Sequence, residues 1–252
     1  MFPVLSQKFA EDVCGIALQA GEAILAIAQT PFAIDKKADR SPVTAADRAA
    51  NDLIVAALQG LTPDQVIVSE EGGQTLENPD QPFWLVDPLD GTKEFLAGNG
   101  EYTVNIALID RHQPVMGVVH APAKKQTYLS FGPGKAFQVT GGKALNPIAV
   151  RQRPNDIVAL ASRSHLDDKT TAYLDERHIA DVRRMGSSLK FCIIAAGEAD
   201  LYPRFGPTME WDTAAGHAIL LAAGGNVMTT DGKPLRYGKP GFRNPDFVAG
   251  SD

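Results

Sequence analysis

Trp84-Leu85-Val86-Asp87-Pro88-Leu89-Asp90-Gly91-Thr92 is the stretch from which the rest of the chain can be read. Trp84-Leu85-Val86 is an apolar run that predicts a strand, with Asp87 delivered at its end. Pro88 holds Asp87 in extended backbone and removes a donor, and Gly91 permits a tight turn that brings Asp90 back beside Asp87. Two carboxylates and the Leu89 carbonyl then face one point. Such an all-oxygen set suits a hard divalent cation; Mg²⁺ is held by a few carboxylates, with water and substrate phosphate completing an octahedron. On these residues alone, an Asp-Pro-x-Asp-Gly surface turn is the alternative.

Outward from this strand, Val66–Val68, Thr103–Ile109, Val115–His120, Thr127–Ser130 and Ala136–Val139 are short runs rich in β-branched or aromatic residues, separated by turn residues. They predict a largely antiparallel sheet. Ahead of it, Phe9, Val13, Ile16, Ala20, Ile24 and Ile27 recur at helical spacing between Ser6 and Gln29, and a second helix is expected from about Thr44 to Gln59. Beyond Asn146-Pro147 the pattern changes: strands at 157–161, 182–184, 201–202 and 226–229 alternate with helices over about 167–176, 187–197 and 212–223. That alternation marks an α/β layer. The expected architecture is a layered α+β and α/β sandwich in two lobes, with an N-terminal α+β lobe at 1–145 and a C-terminal α/β lobe at 146–252.

The chain has 252 residues with 24 Lys+Arg against 30 Asp+Glu, a formal charge of −6. A protein whose affinity for DNA or RNA rests on a broadly basic surface is excluded, since phosphate neutralisation needs clustered cations. No apolar run approaches the roughly 18 residues of a spanning helix. The N-terminus meets Glu11 and Asp12 too early for a signal-peptide core. Cys14 and Cys192 lie inside apolar segments and are expected to be buried reduced thiols, in keeping with a cytoplasmic protein.

Two more segments carry acids at expected element ends. Val66-Ile67-Val68-Ser69-Glu70 again sets an acid after an apolar strand, with a solvated acidic loop as the alternative. Trp211-Asp212 opens a helix that runs to Gly224-Gly225, where a helix N-cap, worth roughly 1 kcal/mol, is the simpler reading of Asp212.

Asp-Pro-Leu-Asp-Gly-Thr at 87–92, and Trp211-Asp212 followed by eleven residues and Gly224-Gly225, resemble the two signatures of the inositol monophosphatase superfamily of Mg²⁺-dependent, lithium-sensitive phosphatases. Within it, Asp87–Phe95, Asn99–Ala107, Gly186–Cys192 and Leu201–Thr208 resemble the bacterial bisphosphate nucleotidases. The resemblance implies an αβαβα layered fold and hydrolysis of a phosphomonoester with two or three Mg²⁺ ions. It also implies metal ligands at Glu70, Asp87, the Leu89 carbonyl, Asp90 and Asp212, and an Asp47–Thr92 pair that orients the attacking water. Asp47 has a plainer alternative, a polar residue on the exposed side of the second helix.

The substrate so implied is adenosine 3',5'-bisphosphate, a by-product of sulfate assimilation, converted to AMP and phosphate. Contacts are expected from Glu70, Leu89, Asp90, Gly91, Thr92, Ser162, His165, Gly186, Lys190, Arg204 and Asp212. His165 could equally cap a helix, and Lys190 could be a solvated helix lysine. Inositol monophosphatase or broad sugar-phosphate phosphatase activity is the competing reading; a non-catalytic nucleotide-binding protein on the same scaffold is a third. The chain would act as a monomer or homodimer. Peripheral attachment at the cytoplasmic face of the inner membrane is compatible with the resemblance, although no basic amphipathic anchor is present. Five acids, Asp47, Glu70, Asp87, Asp90 and Asp212, are assigned to one pocket, and without them the formal charge of −6 becomes −1.

Overall fold

The computed structural model describes residues 4–29, 34–36, 42–72, 75–164 and 167–251. In chain order the elements are α1 (Gln7–Ala28), β1 (Ile34–Lys36), β2 (Pro42–Thr44), α2 (Ala45–Leu61), β3 (Val66–Ser69), β4 (Phe83–Asp90), α3 (Thr92–Leu96) and β5 (Thr103–Asp110). They continue with β6 (Gln113–Ala121), β7 (Gln126–Ser130), β8 (Ala136–Thr140), β9 (Ala144–Pro147), β10 (Val158–Ser162), α4 (Asp168–Glu176) and β11 (Asp181–Met185). The remainder are α5 (Leu189–Ala195), β12 (Leu201–Arg204), α6 (Glu210–Ala222), β13 (Asn226–Thr229) and β14 (Phe247–Gly250).

Strands β3 to β9 form a seven-stranded sheet in sequence order. Only its β3–β4 pair is parallel; from β4 onward each neighbour is antiparallel. The second sheet has the order β11-β10-β12-β14-β13, parallel around β10 and antiparallel around β14.

Alternation along the strands explains the stacking. Trp84 and Val86 point into a core shared with Ile24 of α1 and Ile54 of α2, whereas Phe83 and Leu85 point into a second core with Phe191 of α5, Ile219 of α6 and Phe247 of β14. Both faces of the first sheet are therefore buried along its central strands, which is why β4 and β5 read as largely apolar runs. The second sheet repeats the device: Val158 and Leu160 share the core with α5 and α6, while Ala159 and Leu201 pack with Leu174 of α4 on the outer face. The layers run helices, sheet, helices, sheet, helix, the expected αβαβα order.

The helix starts follow local chemistry. The Ser6 side chain accepts the Phe9 N–H at the head of α1, and Thr44 accepts the Ala46 N–H at the head of α2. Helix α6 lies so close to the first sheet that a Cβ on Gly117 would stand 2.3 Å from the Ala215 carbonyl oxygen; only glycine allows that approach. Cys14 and Cys192 are buried free thiols, and burial raises the Cys14 thiol to about 11. Among the described residues no helix is long and apolar enough to cross a membrane.

Candidate active site

Register and a bulge bring the first acids together. Strand β3 runs parallel to β4 with Ser69 opposite Val86, and the Glu70 N–H donates to the Val86 carbonyl at 3.1 Å. Glu70 thus emerges beside Asp87. The pairing of β4 with β5 shifts between Asp87 and Asp90, where Pro88 cannot donate to a ladder, and the Leu89 N–H folds back onto Asp87 Oδ1 at 3.0 Å. From the opposite layer α6 supplies Asp212. Carboxylate oxygens of Glu70, Asp87 and Asp212 lie within 4.8 Å of one another, and Asp87 is 1% exposed.

These acids suit a hard cation. Burial, reinforced by the charge on Asp90, pushes the Asp212 carboxyl well above the usual carboxylate range. Asp90 is raised to about 6, again chiefly by burial, with Lys190 opposing the shift. Charged together, such groups repel in a low-dielectric site, and a divalent ion bound by their oxygens offsets that repulsion. Asp90 lines the same cavity but stands apart from the converging trio: its Oδ2 accepts the Ser188 N–H at 2.7 Å and the Asn105 amide at 3.4 Å.

Two of the plainer alternatives fall away. Asp212 is not the N-cap of α6; it is the third helical residue, and its Oδ2 accepts the backbone N–H of the cap residue Met209 at 2.8 Å. Asp47 is not on an exposed face. It is 2% exposed at the third position of α2, and its Oδ2 accepts both the N–H and the hydroxyl of Thr44, at 2.7 and 2.6 Å. With Oδ2 so engaged, Asp47 Oδ1 accepts the Thr92 hydroxyl at 3.4 Å. Thr92 opens the short helix α3, preceded by Gly91 in the left-handed region with φ 93°, where a side chain would crowd Glu94 and the Glu101 carbonyl.

The cavity holds about 490 Å³ and is lined by Glu70, Asp87, Leu89, Asp90, Gly91, Thr92, Ser162, Gly186, Lys190, Arg204 and Asp212 among others. Every candidate contact expected from the sequence lines it except His165, which lies outside the described residues. Lys190 is not a solvated helix lysine. It is 3% exposed, its ammonium donates to the carbonyls of Met185 and Ser187 at 3.1 and 2.5 Å, and it lies over the Tyr202 ring. Burial lowers it to about 8. Arg204, 7% exposed, donates to the Pro207 carbonyl at 2.9 Å.

Several groups around the cavity were not singled out from the sequence. Glu94 is buried and accepts the Ser164 hydroxyl at 2.5 Å. Glu101 accepts a two-pronged bond from Arg163, at 2.7 and 2.9 Å, and the Gly186 N–H at 2.8 Å, fixing the loop that leads into α5. In that loop Ser187 sits in the left-handed region with φ 51°, an uncommon conformation for a residue with a side chain. The signal available for Glu94 was its place directly after Thr92-Lys93. Glu101 had only its place in the Asn99–Ala107 segment, to which no role was attached.

Comparison with known proteins gives the family and the fold. The model of the inositol monophosphatase family matches residues 6–248. The 3'(2'),5'-bisphosphate nucleotidase CysQ of Salmonella typhimurium is 49% identical over 242 residues, which cover 94% of this chain and 97% of that protein. The CysQ of Buchnera aphidicola is 41% identical over 96% of this chain and 94% of its own. Among solved structures, CysQ from Bacteroides thetaiotaomicron superposes with a TM-score of 0.84 at 40% identity, covering 97% of each chain. Inositol monophosphatase from Anabaena reaches 0.77 at 26% identity, covering 97% of this chain and 90% of that one.

Proposed function

The chain belongs to the inositol monophosphatase family, and within it we propose a 3'(2'),5'-bisphosphate nucleotidase that hydrolyses adenosine 3',5'-bisphosphate to AMP and phosphate. One observation carries this reading: a single cavity is lined both by the converging carboxylates Glu70, Asp87 and Asp212 and by the buried cations Lys190 and Arg204. A monophosphate needs only the cation centre. A bisphosphate has a second anion to hold, and desolvated side-chain cations are what hold it.

The metal dependence typical of the family is assigned to Mg²⁺, two or three ions held by Glu70, Asp87, the Leu89 carbonyl, Asp90 and Asp212. When bound, Mg²⁺ supplies acidity toward water and neutralises charge on phosphoryl oxygens. The remaining work belongs to the chain. Thr92 Oγ1 takes a proton from the attacking water as it passes its own toward Asp47 Oδ1, which the Thr44 cap holds in place. The N–H groups of Gly91 and Thr92, at the head of α3, orient the reacting phosphate. Ser162, Gly186, Lys190 and Arg204, with His165 beyond the described residues, bind the rest of the nucleotide.

Phosphate release from adenosine 3',5'-bisphosphate and from inositol 1-phosphate, each with Mg²⁺ and with added Li⁺, tests the proposal. The bisphosphate should be the preferred substrate, with turnover requiring Mg²⁺ and inhibited by Li⁺. Preference for inositol 1-phosphate would overturn it in favour of the sugar-phosphate reading.

A further inference from the structure

The Asp90 carboxylate is gripped from two layers of the fold at once. On β5, Thr103 stands opposite Asp90 and Asn105 opposite Asp87, so both side chains leave the same face of the first sheet. From the helical layer, Ser188 at the head of α5 meets them. The Ser188 hydroxyl donates to Asn105 Oδ1 at 2.6 Å and lies 3.0 Å from the Thr103 hydroxyl. Its own N–H donates to Asp90 Oδ2 at 2.7 Å. Thr103, Asn105 and Ser188 are all at most 2% exposed.

The directions of these bonds matter. Ser188 gives its hydroxyl proton to Asn105, so the bond from Thr103 must run toward Ser188. Because Asn105 Oδ1 accepts from Ser188, its amide N–H₂ is the end presented to Asp90. A turned amide would aim an oxygen at the carboxylate and repel it. Both bonds to Asp90 fall on Oδ2, and among the described residues neither falls on Oδ1. A buried polar cluster between a sheet and a helix is costly relative to apolar packing unless every member is satisfied. This one is satisfied, and all of it points at one carboxylate on the cavity wall.

We propose that Ser188 and Asn105 are positioning residues for Asp90: the Ser188 hydroxyl fixes the Asn105 amide, and together they hold Asp90 with Oδ1 available to a divalent cation. The proposal rests on the cation-dependent reading of the site, not on which phosphate ester is cleaved. Ser188 also follows Gly186 by two residues and precedes Lys190 by two, so the same turn carries a cation-positioning group and two nucleotide contacts.

The test is calorimetric titration of the nucleotide-free chain with Mg²⁺, on the unsubstituted protein, Ser188→Ala and Asn105→Ala, with the melting temperature of each metal-free chain. Ser188→Ala keeps the N–H to Asp90; it removes the hydroxyl that fixes the Asn105 amide and, with it, the acceptor of the Thr103 hydroxyl. Removing such supporting partners weakens metal affinity by about 10- to 100-fold, and Asn105→Ala is expected in that range with Ser188→Ala near its lower end. KM for the bisphosphate at saturating Mg²⁺ should change by less than about threefold, a split that a purely structural role would not produce. Unaltered Mg²⁺ affinity in both variants, or no Mg²⁺ binding by the unsubstituted chain, overturns the proposal. If Ser188→Ala does not fold, Asn105→Ala decides it. A chain that leaves adenosine 3',5'-bisphosphate intact while its variants still lose Mg²⁺ affinity would overturn the substrate assignment alone.

Discussion

Asp47 and Asp212 hold the same place in two different helices: each is the third helical residue, and each accepts the N–H of its cap residue through Oδ2, at 2.7 Å from Thr44 and 2.8 Å from Met209. One oxygen anchors the side chain to its own helix and the other is left for the site. Both acids are therefore held by backbone rather than by flexible partners, which suits groups that must keep a fixed geometry.

The pair should separate under the same substitution. In Asp212→Asn the amide oxygen can still accept the Met209 N–H while the charge toward the cation is lost, so kcat/KM should fall on the order of 10³-fold with Mg²⁺ affinity reduced. The metal-free melting temperature should hold or rise, because a buried charge has gone. Asp47→Asn should also cost activity, through kcat, with Mg²⁺ affinity near that of the unsubstituted chain. Loss of Mg²⁺ affinity in Asp47→Asn would place Asp47 among the ligands.

The cation-free chain should respond to pH through Asp90. Its carboxyl is raised from 3.8 to about 6, so between those values the folded state binds more protons than the unfolded state, and this group's contribution to stability falls as pH rises through the window. Mg²⁺ competes with the same proton, so the rise in melting temperature on adding Mg²⁺ should be small at pH 5 and grow above pH 6. A Mg²⁺ shift independent of pH would contradict this.

Lys190 sets the alkaline side. Lowered to about 8, it binds fewer protons folded than unfolded between that value and 10.5, so its burial penalty is relieved as pH rises across that range. For the nucleotide the sign is opposite: the cation disappears over the same interval. A plot of kcat/KM against pH should bend downward near 8, and Lys190→Met should lose the bend along with affinity for the bisphosphate. Persistence of the bend in Lys190→Met would assign it to another group.

Packing and chemistry meet at Gly117. With the Ala215 carbonyl 2.3 Å from where its Cβ would stand, Gly117→Ala must push α6 away from the sheet, at a cost of about 3 kcal/mol. The same displacement moves Asp212, so thermal melting and Mg²⁺ titration should both register the change. Full activity at unaltered melting temperature would mean that α6 does not position the site.

The strands of the first sheet and the acids at their ends were legible in the sequence because double burial leaves a continuous apolar run and the acid then marks where the run meets the cavity. Ser6 and Thr44 were legible as helix starts for a similar local reason. Strand β9, Ala144–Pro147, was not expected: its side chains are largely exposed and none is β-branched. Nor was β14, whose four residues end in Ala249-Gly250. The cap reading of Asp212 arose because Asp is a good cap and Met209 a poor one; the structure places the cap three residues earlier, at Met209. The roles of Asn105, Ser188 and Glu101 depend on two sheets meeting, and no local pattern encodes that.

Strand β14 also imposes an order on synthesis. It follows every other element in the chain yet sits inside the second sheet, between β12 and β13. Until residues 247–250 have been made, β13 has no ladder to join and β12 presents a bare edge, while the first sheet can already be complete. Half-made chains thus expose the kind of edge on which other chains template. A premature stop before Phe247 should yield aggregates, although every residue assigned to cation and phosphate chemistry would already be in the polypeptide.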